Sequence, residues 1–273
     1  MNKTKIDWAD STWNPVTGCL HGCEYCYARK IAERFKGGGY GKQMGMFIAP
    51  FKAGAFSPPY DLCDVHLAKT KDGWYRDAPY PFGFEPTFHR YRLIEPMQIK
   101  KPQNIFVCSM ADLFGDWVPD EWIQEVFKAC EAAPQHRYLF LTKNKERYLR
   151  LDEKDMLPRQ HWYGYSATTE KDLWRFHHAD ECPVINLFVS IEPILSRLVP
   201  CFSTHCPADW VIIGAETGNR KDRVIPEREW VERIAMECQY SGRPTFMKSS
   251  LRELMGEDFI QEYPWSDPGK GHN

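Results

Sequence analysis

Ile105-Phe106-Val107-Cys108-Ser109, then Pro119-Asp120-Glu121-Trp122-Ile123, then Tyr138-Leu139-Phe140-Leu141-Thr142 set the rhythm of this chain. A short apolar run of strand type is followed by a helix and by a second apolar run. In the helix, Trp122, Val126, Phe127 and Cys130 fall on one face. Pro119 suits a first turn, and Pro134 lies just past the end. The alternation continues outward. Trp162–Ser166, Asn186–Ile191, Trp210–Gly214 and Thr245–Lys248 read as further strands. A helix capped near Thr168 or Thr169 follows the first of these. Another, from about Pro226, carries Trp230, Ile234, Ala235 and Cys238 at helical spacing, with Gly242 and Pro244 as punctuation. Strand starts near 105, 138, 162, 187, 210 and 245 are separated by 33, 24, 25, 23 and 35 residues. These are βα repeats, which build a parallel sheet or barrel. Continuous apolar runs are what strands buried on both faces require. Upstream, a strand near Ser11–Val16 and a helix over Tyr27–Phe35, with Tyr27, Ile31 and Phe35 at i, i+4 and i+8, bring the total to about seven βα units.

Residues 36–103 break the rhythm. Gly37-Gly38-Gly39, Pro50, Pro58-Pro59, Pro79 and Pro81 punctuate a stretch rich in aromatics. It is too long for an ordinary βα connection, so a folded insertion or lid after the first helix is expected, against the alternative of a surface excursion. The polar tail 266–273 is expected to fray. The 273 residues otherwise read as one domain, 1–273.

Apolar residues make up 43% and charged residues 26%, the composition of a soluble globular protein. No run of 18 apolar residues is present, which predicts no transmembrane helix. Met1-Asn2-Lys3-Thr4-Lys5 leads into no apolar h-region, so no secretory signal is expected. The ten cysteines then read as reduced and cytoplasmic rather than as a disulfide framework. A net charge of −2 argues against a strongly basic, non-specific nucleic-acid binder but leaves a local basic groove open.

Cys19, Cys23 and Cys26 stand as C-x-x-x-C-x-x-C. Three thiolates can hold three irons of a [4Fe–4S] cluster and leave the fourth iron open to a substrate or cofactor. A closed structural site would use four ligands. Two other readings stand beside it. One is a zinc knuckle using these cysteines with His21, Cys63 or His66; the other is three free thiols. Zinc patterns come as two separated pairs, and no second pair follows here at the usual distance.

The residue before the last cysteine is Tyr25, and C-x-x-x-C-x-aromatic-C resembles the signature of the radical S-adenosylmethionine superfamily. The resemblance extends further. Lys5-Ile6-Asp7-Trp8-Ala9-Asp10-Ser11-Thr12-Trp13-Asn14-Pro15-Val16-Thr17-Gly18-Cys19 is similar to the opening of a phage- and prophage-associated family of radical SAM-like proteins. Supporting blocks are Cys26-Tyr27-Ala28, the run from Phe106 to Phe114, Ala133–His136, Leu141–Lys143, Glu192-Pro193, the run from Asp209 to Glu216, and Phe246–Lys248. Gly214-Ala215-Glu216 departs from the Gly-Gly-Glu of that family and keeps its carboxylate. The plain three-residue spacer between Cys19 and Cys23 matches the superfamily signature.

The resemblance implies a partial parallel (β/α)6–7 barrel of radical SAM type. In α/β barrels the chemistry sits at the C-terminal ends of the strands. Those ends carry Ser109 and Asp112, Thr142 and Lys143, Ser166, Ser190 and Glu192, Glu216, and Lys248. Singly, each reads as a helix cap or loop residue; the succession predicts that several line one pocket. Cys19, Cys23 and Cys26 are then the metal ligands. By position, Asp112 is the candidate for the methionine amino group and Lys143 for its carboxylate. Ser166 and Ser190 are candidates for the ribose, Tyr25 for the adenine neighbourhood, and Ser109 for the same cofactor site. Glu192, Glu216 and Lys248 are candidates for substrate contact or proton transfer. Cys108, Cys130 and Cys238 read as core. Cys63 with His66, and Cys182 with Cys201, His205 and Cys206, remain open as a second metal or cluster site. His177-His178 reads as solvent-exposed.

The activity so implied is reductive cleavage of S-adenosylmethionine to a 5′-deoxyadenosyl radical, which takes hydrogen from an unactivated C–H bond. Its cofactors are a [4Fe–4S] cluster and S-adenosylmethionine, and its partner is a reductase or a flavodoxin- or ferredoxin-type electron donor. The phage association points to the host cytoplasm and to a nucleic-acid base, nucleotide or hypermodified thymine as substrate. The reaction subclass, whether isomerase, lyase or transferase, stays open. Alternatives are a radical SAM enzyme acting on a peptide or small metabolite, and a non-catalytic, zinc-stabilised nucleic-acid-binding module.

Overall fold

The computed structural model describes residues 1–36, 58–69, 72–177, 186–199 and 208–265. The expectations placed on Gly37-Gly38-Gly39, His178, Cys182, Cys201, His205, Cys206 and the tail 266–273 lie outside the described residues. The chain divides into two compact units, Met1–Arg147 with Lys154–His161, and Tyr148–Glu153 with Trp162–Asn273.

The first unit opens with β1 (Asn2–Lys3), β2 (Ser11–Trp13) and β3 (Val16–Thr17), followed by helix α1 (Tyr27–Arg34). Next come β4 (Tyr60–Leu62), β5 (Leu67–Lys69), β6 (Tyr75–Asp77), β7 (Thr87–His89) and β8 (Asn104–Val107). Helix α2 (Asp120–Glu131) and β9 (Arg137–Thr142) complete the series, and α3 (Glu146–Asp152) follows, its residues from Tyr148 on belonging to the second unit. β2, β8 and β9 run parallel, with Ser11 opposite Ile105 and Ile105 opposite Tyr138, while β1 borders β2 antiparallel. The described part of residues 36–103 supplies β4 to β7, which form two small sheets, β7 and β4 together with β3 of the N-terminal segment, and β5 with β6.

The parallel strands form where sequence periodicity places them, because all four residues of β8 and four of the six of β9 are buried. α2 begins at Asp120 behind Pro119, with Asp120 and Glu121 in its first turn, where carboxylates meet the positive end of the helix dipole. Its buried face carries Trp122, Val126, Phe127 and Cys130, joined by Ile123 and Ala129. Phe127 and Phe114 meet Phe140 with ring centroids 5.4 and 5.8 Å apart, so α2 and the segment after β8 share one aromatic core.

Two details differ from the sequence reading. β8 stops at Val107, not at Ser109. Cys108 takes a left-handed backbone, φ 59°, which a non-glycine residue rarely adopts and which ends the ladder. α1 also turns a different face inward. Ala28 and Ala32 are buried against Phe84 and Met110, while Tyr27, Ile31 and Phe35 are exposed. The small alanines let the helix axis approach its neighbours closely.

The second unit holds β10 (Trp162–Ala167), α4 (Glu170–His177), β11 (Leu187–Ile191) and β12 (Trp210–Ile213). It continues with α5 (Arg228–Tyr240), β13 (Thr245–Met247) and α6 (Arg252–Met255). β10, β11, β12 and β13 lie side by side in that order, all parallel. α4 is capped as expected. Asp172 N–H donates to Thr169 Oγ1 at 3.3 Å, and the Asp172 carboxylate accepts from Thr169 N at 2.9 Å, the reciprocal arrangement of a capping box. On α5 the buried residues are Val231, Ile234 and Cys238, with Trp230 only half-buried, so the inward stripe is rotated by one residue from the expected one. Trp210 centres this unit's aromatic core, with Phe188, Phe246, Tyr263 and Trp265 rings within 6.0 Å. The fold is mixed α/β with mostly parallel strands, and among the described residues the strands of neither unit close into a ring.

Candidate functional site

The cysteine loop joins β3 to α1. Gly18 starts it, with φ +89°. Gly18 N–H donates to Met110 O at 2.9 Å and Cys19 N–H to Phe84 O at 3.2 Å, which pins the first cysteine between two loops. A Cβ at residue 18 would come within 2.2 Å of Glu85 O, so both the conformation and the space demand glycine. The loop closes with a turn from Cys26 N–H to Cys23 O at 3.2 Å. Cys26 then caps α1, its Sγ accepting from Arg29 N–H at 3.4 Å. The Arg29 guanidinium reaches back to Cys19 O at 3.2 Å and lies over the Phe84 ring.

All three cysteines are free and half-buried, and Cys19 and Cys26 pack on the Ala28, Ala32, Phe84 and Met110 wall. Burial pushes the Cys19 thiol up to about 12, and Asp112, Cys23 and Cys26 add to it, against the His21 backbone N–H that bonds its sulfur. A bare Cys19 thiolate is therefore disfavoured, and a cationic metal core is what would relieve it. The donor set fits an iron–sulfur cluster by its chemistry. Among the described residues no three His, Cys, Asp or Glu side chains are grouped to hold a metal ion; cluster thiolates, by contrast, each meet a different iron.

Asp112, just past β8, is 5% exposed and is the hub of this region. Its Oδ1 accepts from Thr142 Oγ1 at 2.7 Å and Phe114 N–H at 3.0 Å. Its Oδ2 accepts from Lys143 N–H at 2.9 Å and His21 Nε2 at 2.7 Å. A carboxylate offers about four lone-pair positions, so a ligand ammonium at Asp112 would have to displace one of these donors. Lys143 Nζ stands 5.5 Å from the Tyr25 ring centroid, which brings those two expected cofactor residues together. Ser109 Oγ donates to Asn14 Oδ1 at 3.2 Å, and its carbonyl accepts from the Tyr27 hydroxyl at 2.8 Å.

In the second unit, Ser166 lies opposite Ser190, Ser190 opposite Ile212 and Ile212 opposite Phe246. Two residues on, in the same alternation, stand Glu192, Gly214 and Lys248, on the same side of the sheet. Lys248 Nζ bonds Glu192 Oε1. A Cβ at Gly214 would meet Lys248 Cδ at 3.0 Å and Glu192 Cδ at 3.2 Å, so this glycine is the floor beneath the ion pair. Glu216, which is buried, instead takes a bidentate pair from Arg220 at 2.7 and 2.8 Å, within the loop that follows β12.

Cys108, Cys130 and Cys238 are buried, as expected of core thiols, whereas Cys63 is exposed. The organising roles of His21, Asn14 and Arg29 were not read from sequence. Asn14 and His21 bond residues more than 90 positions away. The local signal for Arg29 was only its place three residues after Cys26.

The described residues thus form an α/β protein with a three-cysteine loop in one unit and a Glu–Lys pair at strand ends in the other. The chain belongs to the family described as protein of unknown function (DUF5131), whose match spans residues 3–252. No curated protein and no solved structure matches it. No helix of the described residues is long and apolar enough to cross a membrane.

Proposed function

We propose that this chain is a radical SAM-type enzyme built on a partial (β/α)6–7 barrel. Cys19, Cys23 and Cys26 would hold a [4Fe–4S] cluster whose open iron takes S-adenosylmethionine. The observation that carries the reading is the environment of the triad: three half-buried free thiols of one loop, Cys19 and Cys26 packed on an apolar wall, with burial pushing the Cys19 thiol up to about 12. When bound and reduced by a flavodoxin-, ferredoxin- or reductase-type donor, the pair supplies a radical able to take hydrogen from an unactivated carbon.

The chain's own residues do the rest. Cys26 sits at the N-terminus of α1, its Sγ held by the Arg29 N–H, which fixes where this ligand leaves the helix. Lys143 offers a cation for the methionine carboxylate beside the Tyr25 ring. Within the second unit Ser166 and Ser190 stand opposite each other on adjacent strands; the ribose role proposed for them rests on the resemblance alone. Glu192 and Lys248, already sharing a proton-bearing contact, would hold or pass a proton at the substrate, with Glu216 as a further carboxylate. The substrate we propose is a nucleic-acid base or nucleotide, supported by the resemblance to phage-associated proteins.

Anaerobic reconstitution tests the cluster. About four irons per chain are expected, and the triple change Cys19→Ala, Cys23→Ala, Cys26→Ala should abolish them. Full iron and sulfide in the triple mutant would sink the assignment. With a strong reductant the wild type should release 5′-deoxyadenosine, and deuterium from labelled nucleosides or oligonucleotides should enter it. Label arriving only from a peptide or small metabolite would remove the nucleic-acid part of the reading.

A further inference from the structure

Asp112 links three segments that are far apart in the chain. Phe114 and its own loop come from the end of β8, Thr142 and Lys143 from the end of β9, and His21 from the middle of Cys19-x-His21-x-Cys23. Three of its four donors are the chain's fixed scaffold: two backbone N–H groups and a buried threonine hydroxyl. The fourth is a side chain of the cysteine loop itself. An ionised carboxylate only accepts, so His21 Nε2 carries the hydrogen in this bond. On its other side the His21 ring meets the Trp117 ring edge-on, with centroids 4.9 Å apart. The backbone ties at Gly18, Cys19 and Cys26 hold the two ends of the loop. His21 and Asp112 hold its crown, between the first and second cysteines.

Resting on the cluster reading above, we infer that Asp112 and His21 act together as positioning residues. Their hydrogen bond locks the crown of the cysteine loop to the ends of β8 and β9, and so sets how the thiolates present the cluster and its open iron. Outer partners of this kind orient metal ligands and tune the metal they hold. On this account Asp112 reaches the cofactor through His21 and does not itself bind the methionine ammonium. The two roles differ in what His21 should do. An ammonium contact at Asp112 leaves His21 dispensable or even competitive. A positioning pair makes His21 and Asp112 equivalent.

The test uses the full-length, anaerobically reconstituted protein with His21→Ala, Asp112→Asn, the double variant and His21→Gln, which keeps a side-chain N–H donor. Three readouts are taken: iron content, the electron paramagnetic resonance spectrum of the reduced cluster with and without S-adenosylmethionine, and the dissociation constant for S-adenosylmethionine. Both single variants should keep the iron, shift the spectrum in the same way and weaken S-adenosylmethionine by about tenfold, the scale of one charge-assisted hydrogen bond. The double variant should show that same tenfold and not a hundredfold, since partners in one bond are not additive. His21→Gln should restore both spectrum and affinity. A silent His21→Ala, an affinity gain in it, or effects that multiply in the double variant would overturn the inference while leaving the cluster reading in place. Wild-type protein that takes up no iron overturns both.

Discussion

His161 shows what a single buried ring does to the whole protein's pH response. Phe127, Tyr138 and Phe140 surround it with centroids 5.5 to 6.1 Å away. Burial pushes its imidazole down to about 4 from the ordinary 6.5. The folded state therefore holds this ring neutral where an unfolded chain would protonate it. Between pH 6.5 and 4 the unfolded state binds more protons, so stability falls as pH falls through that window and is fully present above it. His89 acts in the same direction, lowered by burial and then by Arg92. From pH 7 to pH 5 the His161 contribution amounts to about 2 kcal/mol. His161→Phe removes the proton site and keeps a ring. Urea unfolding at both pH values should show the wild type losing about 2 kcal/mol more than the variant over this interval. Equal losses would mean that the ring is not held neutral. A lone histidine after Gln160 gives no hint of this in the sequence, because its three ring neighbours come from α2 and β9.

At the scale of elements, the parallel strands were the most legible part of the chain and the first helix the least. β8 to β13 announce themselves as continuous apolar runs, since each is buried on both faces. α1 misleads because its larger apolar residues face outward and its inward face is made of alanines, which carry little hydrophobic signal. This orientation is testable. Ile31→Ser and Phe35→Ser, on the exposed side, should each change stability by no more than about 0.5 kcal/mol. Ala32→Leu, on the side packed against Phe84 and Met110, should cost about 1–3 kcal/mol through overpacking. Thermal melts of the three variants decide it, and the reverse ranking would turn the helix over. The early end of β8 was equally hidden. Cys108 has the left-handed backbone that sequence reading reserves for glycine or asparagine. By turning there, the chain delivers Ser109 and Met110 to Asn14 and swings Asp112 toward β9.

For the whole molecule, the sequence located the candidate residues, and the fold sorted them into groups. Tyr25 with Lys143, and Glu192 with Lys248, came together as pairs that spacing alone could not join. Glu216 went instead to Arg220, in a loop without periodicity, and Asp112 to donors that the fold gathers from three distant segments. The grouping predicts a separation of functions in the proposed enzyme. Glu192→Gln and Lys248→Met break a largely buried ion pair and leave one partner unpaired, so each should cost about 1–3 kcal/mol of stability. Each should leave substrate-free cleavage of S-adenosylmethionine near the wild-type rate and lower label transfer from the true substrate by about 10²-fold or more. Loss of the substrate-free reaction in these variants would move the pair from the substrate to the cofactor.

Gly18 has a consequence for how the cysteine loop can change over generations. Its backbone is left-handed, and the space where a side chain would begin is filled by Glu85 O. A substitution must overcome both constraints at once, so no single neighbouring change restores tolerance. Leu20, two positions on and exposed, meets neither constraint. In a saturation library selected for folded protein, residue 18 should stay glycine while residue 20 accepts a wide alphabet. The loop thus has a fixed hinge with one freely variable position, Leu20, close beside it. Its outward chemistry can drift while the position of Cys19 is held by inheritance.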